Sequence, residues 1–199
     1  MLFRSTEAVR FLVREVLPLV DPGLLREHPL YLAGSNLDAE VRALAAESPA
    51  IRLLGWVPSV VPYFQRVRAS LLPVLHGAGT KRKLIQALAS GTPTVSTAVG
   101  AEGFDLADGE GYLLADEPFA FAEAIARLLT DDVLWTMVAG RGRDAVLRER
   151  SLAAVRERFL AALAAVRADA RSTWTSSIPQ PPPAEDPAIP LSLVAGARR

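Results

Sequence analysis

The most constraining stretch of this chain is residues 74–97, Val-Leu-His-Gly-Ala-Gly-Thr-Lys-Arg-Lys-Leu-Ile-Gln-Ala-Leu-Ala-Ser-Gly-Thr-Pro-Thr-Val-Ser-Thr. An apolar run, 71–75, ends in the glycine loop His76-Gly77-Ala78-Gly79. A helical stretch follows, then the turn Gly91-Thr92-Pro93, then a short β-type run at 94–97. Strand, loop, helix, turn, strand is the unit with which α/β proteins hold nucleotides. Gly77 and Gly79 let the backbone come close to an anion, and the free N–H groups of Thr80 to Lys83 point out of the helix start. Thr80, Lys83 and Gln86 are three apart and share one side of that helix, while Leu84, Ile85 and Leu88 take the side that buries against a sheet. The spacing is not that of a P-loop, and the third glycine of the dinucleotide fingerprint is missing. On spacing alone, the unit reads equally as a phosphate cradle and as a glycine-rich turn beside a solvated lysine.

The rest of the chain continues the alternation. Residues 6–17 carry a helical apolar pattern (Val9, Leu12, Val13, Val16, Leu17), with Ser5 as the cap and Pro18 at the end. Residues 30–33 form a buried strand ending at Gly34-Ser35-Asn36, and 38–47 a helix. Residues 51–54 form a strand closed by Gly55-Trp56-Val57-Pro58, followed by a helix at 60–67. Beyond the glycine unit come a loop (98–110), a strand (111–115) and a helix (118–129) with Phe121, Ala124, Ile125 and Leu128 inward. Two helices close the domain, 131–148 and 151–170, with Gly140 and Gly142 blurring the end of the first. In the second, Leu152, Val155, Phe159, Leu163 and Val166 form a stripe read first as core packing, with a partner surface as the alternative. This is an α/β chain with a Rossmann-like parallel sheet and helices on both faces.

Composition sets the boundaries. The chain has 199 residues, enough for one well-buried α/β core, taken as 1–170. Residues 171–199 are rich in Ser, Thr and Pro and are expected to form a disordered tail. Lys plus Arg and Asp plus Glu number 22 each, scattered over helix faces, which argues against a nucleic-acid partner. Without cysteine there is no disulfide, thiolate nucleophile or common zinc site, and His28 and His76 lie too far apart in sequence to suggest a metal cluster. The first residues do not read as a secretory signal, and no apolar run approaches the roughly 18 residues of a membrane span. A soluble, cytoplasmic chain is the expectation.

The stretch 77–95 resembles the donor-binding signature of GT-B glycosyltransferases, in particular glycosyltransferase family 4. The family pattern is similar to Gly-Ala-Gly-Thr-Lys-x-Lys-x-x-Glu-Ala-x-Ala-x-Gly-x-Pro-Val-Val. Here it stands as Gly-Ala-Gly-Thr-Lys-Arg-Lys-Leu-Ile-Gln-Ala-Leu-Ala-Ser-Gly-Thr-Pro-Thr-Val. Residues 11–20, 30–34, 55–58 and Ala98-Val99-Gly100-Ala101-Glu102-Gly103 resemble runs of that family's C-terminal domain, so the likeness covers about residues 3–165. Two positions depart from the pattern. Gln86 stands where the family usually has a glutamate for the donor's ribose hydroxyls, and an uncharged amide oxygen makes the weaker bond. Ala78 stands where many relatives have another glutamate.

The resemblance implies a nucleotide-sugar donor as substrate and no cofactor or metal. The amides of Gly77, Ala78, Gly79, Thr80 and Lys81 hold its diphosphate, Lys83 contacts a phosphate, and Thr80 donates to a phosphate or caps the helix. Gln86 meets the ribose. Trp56 and Val57 meet the base, unless Trp56 is core. Gly34 and Ser35 end a strand at the same crevice. His76 approaches the sugar or is neutral filler, and Glu102 contacts the sugar or orients its loop. No catalytic residue is identifiable, because the acceptor side comes from the family's N-terminal domain. The implied reaction is hexosyl transfer of the retaining type, with the leaving diphosphate stabilised by fixed positive groups. That N-terminal domain and the strand opening the second domain have no counterpart before Phe3, so the chain reads as a donor half needing a complement. The alternatives are a non-catalytic nucleotide-binding or interaction remnant, weakened by Gln86, and a sugar-nucleotide epimerase, which needs cleft carboxylates and histidines that these loops scarcely offer.

Overall fold

Each β-type run forms a strand and each amphipathic run a helix in the computed structural model, which describes residues 3–35, 37–77, 79, 81–104 and 106–173, with side chains for 6–167 among them. In chain order the elements are α1 (Phe3–Phe11), α2 (Pro22–Glu27), β1 (Leu30–Ala33), α3 (Ala39–Ala46), β2 (Ile51–Gly55), α4 (Val61–Phe64), β3 (Ser70–Leu72) and α5 (Arg82–Ala89). They continue with β4 (Thr94–Ser96), α6 (Ala98–Ala101), β5 (Tyr112–Leu114), α7 (Pro118–Thr130), α8 (Asp132–Arg150) and α9 (Leu152–Thr173). Side-chain caps set several helix starts. Asp38 accepts from the Val41 N–H at 2.8 Å, and Asp131 from the Val133 and Leu134 N–H groups at 3.0 and 2.9 Å. At the end of α5, the Gly91 N–H bonds the Leu88 carbonyl and the Thr92 N–H the Ala87 carbonyl. That closure needs a left-handed residue, and Gly91 supplies it with φ +75°.

Several expectations are corrected, among them the buried strand at 30–33, whose residues alternate between half-buried and exposed. The helix expected at 6–17 is α-helical only to Phe11, then passes through a π turn (Leu12–Val16) and a 3₁₀ turn (Leu17–Leu19). Pro18 has no N–H for an α-turn and its ring crowds the preceding carbonyl, so the chain widens before it and tightens after it. Ser5 lies inside α1 rather than ahead of it. The helix expected at 60–67 is the single turn α4, and the segments 22–27 and 98–101 form short helices that periodicity could not detect. Gly140 and Gly142 do not end α8, which runs through both.

The parallel sheet is divided into two pieces, β1-β2 and β3-β4-β5. Leu30 of β1 and Leu71 of β3 nevertheless pack on one core cluster built from Phe11, Val16, Val95, Phe121, Leu128 and Val138. On the opposite face of β3-β4-β5, Leu72 and Tyr112 pack with Leu84 and Leu88 of α5 and Val146 of α8. Strand β4 is therefore buried along its whole length. Each fully buried leucine contributes about 1.5–3 kcal/mol, so α5 is seated mainly by Leu84 and Leu88. A third cluster, Val13, Leu17, Leu44 and Ile51, seats α3 against β2.

The chain divides into two units, Met1–Val155 and Arg156–Arg199. The described part of the second is the remainder of α9. The stripe expected to pack in the core is exposed: Leu152, Val155, Phe159, Leu163 and Val166 all face solvent. The expected tail lies outside the described residues beyond 173.

Candidate functional site

Parallel strands deliver their carboxyl ends to one edge of a sheet, and the loops that leave them gather there. At the edge of β3-β4-β5 these are the glycine loop after β3 and segment 97–104 after β4. Both are fixed to the sheet by hydrogen bonds. The Thr97 hydroxyl donates to the Val74 carbonyl at 2.6 Å and accepts from the Gly100 N–H at 3.0 Å, while the Ala98 N–H donates to the Asp116 carboxylate at 2.8 Å. Thr97 is itself buried. Gly100 sits where a Cβ would stand 2.7 Å from the Leu72 carbonyl oxygen and against the Ser96 hydroxyl, so only glycine lets α6 lie this close to β3.

In the glycine loop, Gly77 (φ +136°) and Gly79 (φ +86°) both occupy conformations that side-chain-bearing residues rarely adopt. Among the described residues, nothing beyond its chain neighbours lies within 4 Å of where a Cβ of Gly79 would be, so the backbone there is open to close approach. Helix α5 starts at Arg82 with Lys81 as its N-cap residue, slightly later than the spacing predicts. Lys83 lies in the first turn and is exposed, and Gln86 follows one turn on and is half-buried. Neither side chain makes a hydrogen bond or ion pair with another described residue, so both remain available at this edge. Ala78 and Thr80 lie outside the described residues.

The Lys81 side chain is what sequence reasoning missed, having assigned only its amide. Its ammonium donates to the Gly79 carbonyl at 2.8 Å and the Gly77 carbonyl at 3.2 Å, and lies 3.6 Å from a Glu102 carboxylate oxygen. This contact brings the glycine loop and the 98–103 segment together. Gly103 is gripped from the other side, where its carbonyl accepts from the Arg150 guanidinium, which also lies 5.1 Å from the Phe104 ring centre. At the β1-β2 edge, the Gly34 N–H donates to the Gly55 carbonyl at 2.8 Å, which sets Gly34 and Ser35 beside the turn carrying Trp56 and Val57. Trp56 is 70% exposed, which removes it from the core. His76 is exposed on the glycine loop.

Residues 1–131 match the family model described as "Glycosyl transferases group 1". The chain belongs to this family. The glycine loop, α5 and the 98–103 segment all lie within the matched residues. The chain is also similar to the lipopolysaccharide core biosynthesis glycosyltransferase LpsE of Rhizobium meliloti (strain 1021), with 29% identity over 119 residues, covering 59% of this chain and 35% of that protein. The chain thus spans about a third of that relative's length. Among solved structures, it resembles the α,α-trehalose 6-phosphate synthase of Burkholderia multivorans (TM-score 0.66, 18% identity, 89% of this chain and 43% of that one). It resembles HepE of Anabaena in complex with UDP as well (TM-score 0.60, 12% identity, 80% and 53%). At these identities the likeness is one of fold, the GT-B Rossmann-like architecture. Among the described residues, no helix of this group 1 chain is long and apolar enough to cross a membrane.

Proposed function

We propose that this chain is the donor-binding half of a cytoplasmic glycosyltransferase, which transfers a hexosyl group from a nucleotide sugar when an acceptor-side domain completes the cleft. The observation that carries the reading is the open glycine loop at the carboxyl end of β3, with two positive-φ glycines, running into a helix whose first-turn Lys83 is exposed and uncommitted. The Arg82 and Lys83 N–H groups have no partner among the described residues, and the helix dipole favours an anion in front of them. The diphosphate of the donor fits this chemistry. Gln86, half-buried on the same helix, offers an amide oxygen to the ribose. The Gly34 and Trp56–Val57 turns supply backbone groups to the base. The complex of the similar HepE with UDP supports a uridine nucleotide as the first donor to try. Retention of the anomeric configuration and release of the diphosphate to fixed positive charge complete the reading.

Calorimetric titration of the full chain with UDP and GDP tests it. Binding in the micromolar to low-millimolar range, weakened about tenfold or more in Lys83→Ala, is the expected result, since a charge-assisted phosphate contact is worth about 1.5–3 kcal/mol. Absence of binding to either nucleotide by the folded chain would favour the second reading, a non-catalytic remnant, for which the uncharged Gln86 is the specific observation.

A further inference from the structure

Lys81 carries an assignment of its own. Its side chain is only 14% exposed, although a lysine one residue before a helix in a loop is ordinarily free in solvent. An ammonium has three donors. Two go to the Gly79 and Gly77 carbonyls, at 2.8 and 3.2 Å. Its remaining polar neighbour among the described residues, Glu102, stands at 3.6 Å, an ion-pair contact beyond hydrogen-bond length. The Glu102 side chain is 52% exposed, so this pair is held weakly. The backbone beside it is not: Arg150 bonds the Gly103 carbonyl and covers the Phe104 ring, which tethers the segment to the end of α8.

We propose that Lys81 is a positioning residue, a clasp that closes the glycine loop on itself through the Gly77 and Gly79 carbonyls, and that a ligand phosphate replaces Glu102 at its third donor. The proposal rests on the donor-site reading given above. By neutralising the Gly77 and Gly79 carbonyl oxygens, the ammonium removes from the loop the negative dipole ends that an incoming anion would otherwise meet. Glu102 then serves as the counter-ion of the empty loop. It leaves readily because water can take its place around the exposed carboxylate, whereas a diphosphate brings more charge to the same donor.

The test combines two readouts on the full chain. Amide hydrogen exchange without ligand reads the clasp: in Lys81→Met, exchange at Gly77 and Gly79 is expected to speed up about tenfold, with the 103–104 amides, held by Arg150, and the β4 amides unchanged. Unchanged exchange at Gly77 and Gly79 in a folded Lys81→Met overturns the clasp. Calorimetry with UDP, GDP and uridine reads the replacement of Glu102. Glu102→Gln is expected to tighten diphosphate binding about three- to tenfold, to leave uridine unaffected, and to have no effect in the Lys81→Met background. A Glu102→Gln variant that binds diphosphate no better than wild type overturns the replacement while the donor-site reading stands. Wild type that binds neither diphosphate removes the donor-site reading and the replacement together, and exchange still decides the clasp.

Discussion

Two glycines on α8 respond to substitution in opposite directions. A Cβ on Gly142 would stand 2.6 Å from the Gly111 Cα, backbone against backbone, where α8 crosses β5. Gly142→Ala is therefore expected to destabilise by about 1–3 kcal/mol, as overpacking does. Gly140 has nothing within 4 Å of its Cβ position and an ordinary helical backbone, so Gly140→Ala is expected to stabilise by about 0.5–1 kcal/mol. Urea unfolding of the two variants measures both signs in one experiment. Gly91→Ala, strained by its φ of +75° in open space, is expected to cost about 1–2 kcal/mol on the same scale. At this scale the sequence spoke clearly about Gly77, Gly79 and Gly91, because their neighbours announce a turn. It marked Gly142 only as a possible helix end and was silent about its packing on Gly111 and about the Lys81–Glu102 contact, because each depends on a partner brought close only by the fold.

Between elements, α1 and the turns after it are laced to α3 by three polar contacts. The Thr6 hydroxyl donates to Asp38 at 2.9 Å, Arg10 pairs with Glu40, and Arg14 grips Glu47 through two nitrogens at 2.8 and 3.2 Å. The Val41 N–H, with the Thr6 hydroxyl second, holds the Asp38 carboxyl below its ordinary range, and the hydrogen bond from Arg14 does the same for Glu47. Both folded-state values lie below the unfolded ones. Their contribution is therefore fully present above the ordinary carboxylate range and is lost as pH falls through the depressed folded values. Melting temperature is expected to be level near neutrality and to fall in acid, with a shallower acid limb in Asp38→Asn and Glu47→Gln. Scanning calorimetry from neutral to acid pH checks this, and added salt is expected to weaken the exposed Arg14–Glu47 share. Helix and strand positions were legible because apolar spacing records them. The π turn was not, because it is a compromise between Pro18 and a core that still buries Leu12, Val13 and Val16.

For the molecule as a whole, the expected outcomes are those of a ligand site at one sheet edge. A nucleotide that binds the folded chain raises its stability by about 2.7 kcal/mol at a hundredfold excess over Kd, so thermal shift in UDP and GDP gives a quick comparison of bases. Gln86→Glu restores the carboxylate of the family pattern and is expected to tighten nucleotide binding about three- to tenfold, with no change in melting temperature beyond that of the bound form. Titration of the variant beside wild type measures the gain. No gain would mean that residue 86 does not meet the ribose. By itself, the sequence determined the α/β alternation, the parallel strands and the strand–glycine loop–helix unit, since each is encoded in neighbouring residues by backbone conformation and apolar period, while the family came from the resemblance of residues 77–95 to its signature. Only the tertiary structure decided that the sheet divides in two, that Trp56 is outside the core, and that the α9 stripe is exposed. It alone placed Lys81, rather than Lys83, inside the glycine loop with Glu102 beside it. Burial and charge pairing are properties of surfaces that meet in space, and no local period records which surfaces will meet.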